Sequence, residues 1–272
     1  MQDSIENAAP PASATLAASR GILDAFRLDG QLALVTGANK GLGQGIALAL
    51  AAAGADILGV SSSSAEESAA LVQQLGRRYV HLAADLRDMG VLPELVQTAL
   101  REFGRLDILV NNAGTIRRTD AVDFSEADWD AVIDLNLKSA FFLAQAAGRH
   151  FLTQGRGKII NIVSMLSFQG GIRVPSYTAS KSGLLGITRL LANEWAARGV
   201  NVNAIAPGYM ATDNTAALRA DATRNRDILA RIPAGRWGQA ADLGGAAVFL
   251  ASRASDYVHG TVLAVDGGWL AR

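Results

Sequence analysis

The stretch Leu32-Ala33-Leu34-Val35-Thr36-Gly37-Ala38-Asn39-Lys40-Gly41-Leu42-Gly43 decides the fold. Its first four residues are a short apolar run that stops near a glycine, the pattern of a strand buried on both faces of a parallel sheet. A helix is expected directly behind it, from Gly43 to Ala53. Glycines between strand and helix let the backbone turn tightly and approach a phosphate, and the helix points its N-terminal amides at that group. The spacing is Gly-x-x-x-Gly-x-Gly rather than the commoner Gly-x-Gly-x-x-Gly. Turn chemistry alone would also account for the glycines. Strand, loop and helix in this order favour the pyrophosphate of a dinucleotide, held by Gly37, Asn39, Lys40, Gly41, Leu42 and Gly43.

The same alternation continues outward. Strands are expected at Asp56–Val60, Tyr79–Ala83, Asp107–Val110, Lys158–Val163, Asn201–Ile205 and Thr261–Val265. Helices are expected between them at Ala65–Leu75, Pro93–Phe103, Glu126–Phe151, Ser176–Arg198, Asn214–Ala230 and Ala240–Ala251. Seven short strands separated by helices imply a single-domain α/β fold, a doubly wound (Rossmann) parallel seven-stranded sheet with helices on both faces. Residues 1–26 differ: Met1 to Arg20 is rich in Ala, Ser and Pro and lacks aromatics. They read as a flexible N-terminal leader, with Gly21 to Phe26 a short docking helix or a segment that orders against a neighbouring subunit. Residues 27–272 then form the dinucleotide-binding domain. Ligands on such sheets bind at the carboxyl ends of the strands, so the chemistry is sought there.

Composition narrows the function classes. The 272 residues are half hydrophobic, ample for a large core, and carry 25 basic and 25 acidic side chains. A zero net charge gives no electrostatic footprint for nucleic acid or an anionic membrane. The chain has no cysteine, which excludes disulfides, thiolate catalysis and cysteine-ligated metal. His81, His150 and His259 are far apart in sequence and form no ligand-spaced pair, so no metal is expected. The longest weakly polar run, Gly45 to Ala55, is far short of the roughly 18–20 residues of a membrane span. Asp3 and Glu6 precede any basic residue, the reverse of a signal peptide. The expected location is cytoplasmic.

The end of the second strand discriminates between the two nicotinamide cofactors, because a carboxylate there accepts from a ribose 2′-hydroxyl and repels a 2′-phosphate. Here it reads Gly59-Val60-Ser61-Ser62-Ser63-Ser64, with no acid before Glu66. Ser61, Ser62 and the cation Lys40 suit a 2′-phosphate, which favours NADP(H) with NAD(H) as the alternative. The serines can equally cap the next helix. Asp85, with Leu86 beside it, follows the third strand and is placed either to accept from the adenine amine or to cap a helix.

Tyr177 and Lys181 are four apart in a helical stretch and share a face. An ammonium near a phenol stabilises the phenolate, which is expected to lower the tyrosine pKa from about 10. Such a tyrosine exchanges a proton with a reacting oxygen, and Ser164, at the end of the fifth strand, can hydrogen-bond the same oxygen.

With these residues in place the chain resembles the short-chain dehydrogenase/reductase family over about Leu28 to Arg272. The glycine loop, Asn111-Asn112-Ala113-Gly114, Ser164/Tyr177/Lys181 and Pro207-Gly208 stand in family order. The resemblance implies that Asn136 is a fourth catalytic residue, holding a water for proton relay to Lys181. It places Asn112, Ala113 and Gly114 beside the cofactor, with Pro207, Gly208, Met210 and Thr212 around the nicotinamide. Tyr177 and Lys181 also touch the cofactor, Lys181 through the ribose hydroxyls. It further implies a homotetramer built on the two long helices, with Trp269 to Arg272 reaching a neighbour.

A narrower resemblance rests on Asn112–Arg118, Ser164–Tyr177, Ala206–Thr212 and Val265–Arg272. These look like the 2-deoxy-D-gluconate 3-dehydrogenase (2-dehydro-3-deoxy-D-gluconate 5-dehydrogenase) group, with gluconate 5-dehydrogenases as neighbours. The group interconverts a secondary alcohol and a ketone on sugar acids and usually prefers NAD(H); the serine run departs from it. Arg117, Arg118 and Arg173 fall in loops expected to rim the site, where a guanidinium fork fits a carboxylate. Solvated or subunit-contact arginines would read the same way. Met165, Gln169 and Tyr209 could line the same pocket. The alternatives are a 3-oxoacyl thioester or polyol substrate, or a dinucleotide-sensing protein without catalysis.

Overall fold

β1 (Leu32–Thr36) is buried at every residue and pairs in parallel with β2 (Asp56–Ser61) on one side and β4 (Ile108–Asn111) on the other. The computed structural model describes residues 21–272. With β3 (Tyr79–Ala83), β5 (Gly157–Ile162), β6 (Val200–Pro207) and β7 (Val262–Val265) they form one seven-stranded sheet in the order β3-β2-β1-β4-β5-β6-β7, all pairs parallel. This is the doubly wound sheet expected from the sequence.

Alternate residues of β1 feed two cores, as the two-residue period of a strand requires. Ala33 and Val35 pack with α1 (Gly41–Ala52), α2 (Glu66–Gln74) and α9 (Gly244–Ala251). Leu32 and Leu34 pack on the opposite face with α3 (Val91–Phe103), α5 (Ser139–Gln154) and α6 (Pro175–Trp195).

Several expected elements are divided. The helix expected over Glu126–Phe151 is α4 (Glu126–Ile133), one π turn (Asp134–Lys138) and α5. The excursion expected over Asn214–Ala230 breaks into α7 (Ala216–Ala220) and α8 (Ala222–Arg231). Asp221 takes an extended backbone there, and its side chain accepts from the amides of Thr223 and Arg224 as a helix cap. The segment expected as helix over Ala240–Ala251 opens with a 3-10 turn, Ala240–Leu243, before α9. Ser176–Arg198 is α6 followed by a 3-10 turn. The expected leader over Met1 to Arg20 lies outside the described residues. The docking segment is a 3-10 turn, Ile22–Phe26, with the Phe26 ring centroid 6.2 Å from that of Phe249.

At the amino end of the sheet Asp107 accepts the Leu32 amide at 2.9 Å, and Arg105 grips the same carboxylate through two nitrogens at 2.6 and 2.8 Å. Its side chain is 9% exposed. Asp107→Ala leaves a buried N–H without a partner, which costs about 1–3 kcal/mol. The urea midpoint should fall with an unchanged slope; an unchanged midpoint would show that water replaces the carboxylate.

Candidate active site

The order of strands reverses between β1 and β4, and the loops leaving these two ends diverge around a crevice. Polar side chains tie its floor together. Thr36 Oγ1 accepts the amides of Asn112 and Ala113 at 3.0 and 2.9 Å and donates to the Val110 carbonyl at 3.3 Å. The Asn112 amide group donates to Thr36 O at 2.8 Å. Gly37 has a positive φ of 67°, and a side chain on Gly43 would collide with the Gly37 carbonyl and Asn112. The loop therefore folds directly onto the end of β4, and α1 starts at Gly41, earlier than expected, leaving its first-turn amides without helical partners. Leu42 packs against the core, Ala113 is partly buried, and Gly114 lies against Asn136.

A second polar chain crosses the other half of the floor. Asn111 donates to Asn161 Oδ1 at 2.9 Å, and Asn161 donates to Thr188 Oγ1 on α6 at 2.9 Å. Thr36 was read only as the start of the glycine loop, and Asn161 and Thr188 escaped the sequence reading, because nothing in their spacing separates them from ordinary strand and helix residues.

Helix α6 brings Tyr177 and Lys181 to one face, the ammonium 5.7 Å from the phenol ring centroid. Lys181 is buried and donates to the Ile162 carbonyl at 2.6 Å. Burial pushes its pKa down to about 8. Ser164 sits at the start of a short turn after β5, its hydroxyl accepting the Leu166 amide at 3.1 Å. The tyrosine differs from expectation. Burial raises its pKa and outweighs the opposing effects of the Ser164 hydroxyl and the Arg118 cation; Lys181 is not among the groups that lower it. The ammonium lies against a carbonyl instead of the phenol oxygen, so its field is partly answered there.

Asn136 occupies the π turn and is buried. Its Oδ1 accepts the Thr115 amide at 2.8 Å, and its Nδ2 donates to Thr115 O at 2.9 Å and Ser180 Oγ at 3.3 Å. Its side-chain bonds thus brace the loop after β4 and do not run to Lys181. A π turn shifts the helical register at a point where a functional side chain must face inward.

At the end of β2 the serines divide. Ser61 is buried and turned inward, while Ser62 is exposed. Asn39 Nδ2 donates to Ser63 Oγ at 2.8 Å, joining the glycine loop to this turn. The cap of α2 is Ala65, with only Ser64 Oγ accepting from Glu66 N at 3.3 Å. Lys40 reaches across the crevice to Asp213, 2.8 Å away, and lowers that carboxyl's pKa. Asp85 does not cap α3, whose N-cap is Gly90; Arg87 grips it at 2.6 Å and lowers its pKa, while Leu86 is core.

Beyond β6, the Gly208 amide donates to Val265 O at 3.0 Å, holding Pro207-Gly208 against β7. Met210 directs its side chain into the core beside Gly238, so only its backbone can face the crevice. Thr212 lies over Gly41.

The expected substrate residues mostly have other partners. Arg117 pairs with Asp128 at 3.2 Å and Arg173 with Asp120 at 3.0 Å. Met165 is buried with Ile228, Ile232 and Trp269, and Tyr209 packs edge-on to Trp237 and Trp269. Gln169 accepts from Arg231 at 3.3 Å, and that guanidinium lies 4.0 Å over the Trp269 ring. Arg118 alone of the three arginines has no carboxylate partner among the described residues. It donates to the Asn214 carbonyl at 3.2 Å and is close enough to act on Tyr177.

The family model described as enoyl-(acyl carrier protein) reductase matches residues 37–270. The chain belongs to the short-chain dehydrogenase/reductase family. It is similar to the 2-dehydro-3-deoxy-D-gluconate 5-dehydrogenase of Escherichia coli K12, 64% identical over 92% of this chain and 100% of that protein. A structure from Agrobacterium tumefaciens, assigned as a 2-deoxy-D-gluconate 3-dehydrogenase with bound NADP, is 57% identical with a TM-score of 0.87, covering 91% of this chain and 99% of that one. The gluconate 5-dehydrogenase of Burkholderia cenocepacia, in complex with NADP and tartrate, is 40% identical with a TM-score of 0.87, covering 92% and 99%. The chain is thus an oxidoreductase of a dehydrogenase family. No helix among the described residues is long and apolar enough to cross a membrane.

For ketone reduction the raised pKa keeps Tyr177 protonated, whereas Lys181 loses its charge through about 8. The reductive kcat/KM should be level below pH 7 and decline above pH 8. A steady-state pH profile followed at the reduced nicotinamide absorbance tests this; a level profile to about pH 9.5 contradicts it.

Proposed function

We propose that residues 27–272 form an NADP(H)-preferring dehydrogenase that interconverts a secondary alcohol and a ketone on a sugar acid of the gluconate or deoxy-keto-gluconate type. One observation carries the acid substrate. Arg118, a guanidinium without a carboxylate partner among the described residues, lies within electrostatic reach of Tyr177, while Arg117 and Arg173 are already paired with Asp128 and Asp120. A fork-shaped cation takes a carboxylate through two parallel hydrogen bonds. The names of the similar enzymes point to the same substrate class.

The glycine loop fits a dinucleotide: its backbone lies bare against Asn112, and the first-turn amides of α1 face outward from it. When bound, the dinucleotide supplies or accepts the hydride. In reduction the Tyr177 phenol donates its proton to the ketone oxygen, and in oxidation the phenolate takes it back. Ser164 donates to the same oxygen and stabilises the charge that develops there. Lys181 holds the ribose hydroxyls. Asn136 keeps Thr115 and the loop after β4 in place, and in this reading also positions the water that relays a proton to Lys181.

The exposed serine hydroxyls after β2 and the nearby Lys40 support NADP(H) over NAD(H). With this reading we place the enzyme in the cytoplasm as a homotetramer. Trp129, Phe142 and Leu190, exposed on α4, α5 and α6, support the pairing of these helices with further copies.

Tyr177→Phe should lower kcat by several orders of magnitude with little change in the dinucleotide Kd; turnover near the wild-type rate would refute the proton-transfer role. Arg118→Ala should raise KM for a keto-aldonate at least tenfold more than for a neutral keto sugar, since charge-assisted hydrogen bonds are worth about 1.5–3 kcal/mol. Arg173→Ala should change both substrates alike. Equal effects of Arg118→Ala on both substrates would remove the anchor.

A further inference from the structure

His81 lies on β3, opposite Gly59 of β2, two residues before β2 gives way to the serine run. Its Nε2 is 2.9 Å from Ser61 Oγ, and the same oxygen is 2.8 Å from the Ser63 carbonyl. These distances assign the proton. A serine hydroxyl has one hydrogen, and a carbonyl can only accept. Ser61 therefore donates to Ser63 O, and Nε2 must carry the hydrogen that Ser61 accepts. The chain runs in one direction, from the His81 N–H to the Ser61 hydroxyl to the Ser63 carbonyl.

This direction matters for what the turn presents. The Ser63 carbonyl is tied back toward the buried Ser61 hydroxyl, so that acceptor is engaged. Ser63 Oγ accepts from Asn39, which leaves its own hydrogen free to donate. Ser64 Oγ accepts from the Glu66 amide and likewise keeps a free hydrogen. Ser62 is exposed with no side-chain hydrogen bond among the described residues. The turn thus offers three hydroxyl donors and withholds a carbonyl acceptor, the arrangement a doubly charged oxyanion needs.

We propose that His81 is a positioning residue for recognition of the dinucleotide 2′-phosphate: through Ser61 it holds the Ser63 carbonyl back, leaving the Ser62, Ser63 and Ser64 hydroxyls to the phosphate. The inference rests on the NADP(H) reading given above. It adds a residue one strand removed from the phosphate, where the sequence reading had only an isolated histidine. Losing the Nε2–H frees the Ser61 rotor, and the Ser63 carbonyl can then turn toward the phosphate and repel it.

The test compares NADPH and NADH binding to the full chain by fluorescence titration, for the wild type, His81→Leu, His81→Gln and Ser61→Ala. In the wild type NADPH should bind more tightly. His81→Leu should weaken NADPH about tenfold, the effect of one such hydrogen bond, and leave NADH within about twofold, which also reports that the variant is folded. Ser61→Ala should reproduce this selective loss. His81→Gln, whose side-chain amide can reach the same hydroxyl, should restore most of the NADPH affinity. A wild-type preference for NADH overturns the NADP(H) reading and this inference together. A wild-type preference for NADPH that survives His81→Leu overturns this inference alone. So does an equal loss of both cofactors, or a His81→Gln variant as weak as His81→Leu.

Discussion

A parallel sheet that reverses its strand order leaves two strand ends side by side with loops departing in opposite directions, and those ends must be joined by something other than the ladder. Here the Thr36 hydroxyl and the Asn112 amide do it, with four hydrogen bonds of 2.8–3.3 Å between the ends of β1 and β4. The rest of the site takes its position from this clamp. Asn112 lies beneath Gly37 and Gly43, which sets the path of the glycine loop and the start of α1. On the other side Asn111, Asn161 and Thr188 carry the polar chain to α6, the helix that holds Tyr177 and Lys181. Both halves of the crevice are thus referenced to one buried polar floor, in which each buried donor has a partner.

The electrostatics above that floor follow from burial. Desolvation penalises whichever form of a side chain is charged, so it raises Tyr177 and lowers Lys181. The two shifts bring phenol and ammonium closer in proton affinity than they are in water. Arg118 and Ser164 oppose the rise at Tyr177 from the substrate side. A bound carboxylate on Arg118 would partly cancel its pull on the phenolate, which returns the tyrosine toward its protonated form, the form that acts as the acid in ketone reduction.

β1 and β4 were legible because they are buried on both faces, and two-sided burial there writes itself as continuous apolar runs. The helix boundaries were not, because local polar chemistry decides them. Asp221 splits the expected excursion by capping α8, and the π turn at Asp134–Lys138 interrupts a periodicity that the apolar pattern carries straight through. In the crevice, the placement of residues tied to a backbone shape or a helical spacing could be read directly: the loop glycines turn against the end of β4, and Tyr177 and Lys181 share a face of α6. Residues whose role depends on a partner could not. Arg117, Arg118 and Arg173 look alike in sequence, and only the positions of Asp128 and Asp120 separate them. Met165 and Tyr209 belong to an aromatic cluster assembled from segments as far apart in the chain as Met165 and Trp269, which no local pattern reveals.

Lys40 shows how the same crevice can hold a cation ready without a ligand to neutralise it. Its ammonium bridges to Asp213, linking the glycine loop to the segment before α7. Both side chains are largely exposed, at 68% and 81%, and such pairs contribute little because water and salt screen them. A phosphate bearing nearly two charges and seated among hydroxyl donors would compete with a single solvated carboxylate for that ammonium. Movement of Lys40 from Asp213 to the phosphate would release the link across the crevice. The fixed partners, Asn39 on Ser63 and Asn112 on Thr36, would keep the loop's shape unchanged. The rigid contacts of the loop are therefore buried or neutral, and its one ionic contact is the replaceable one.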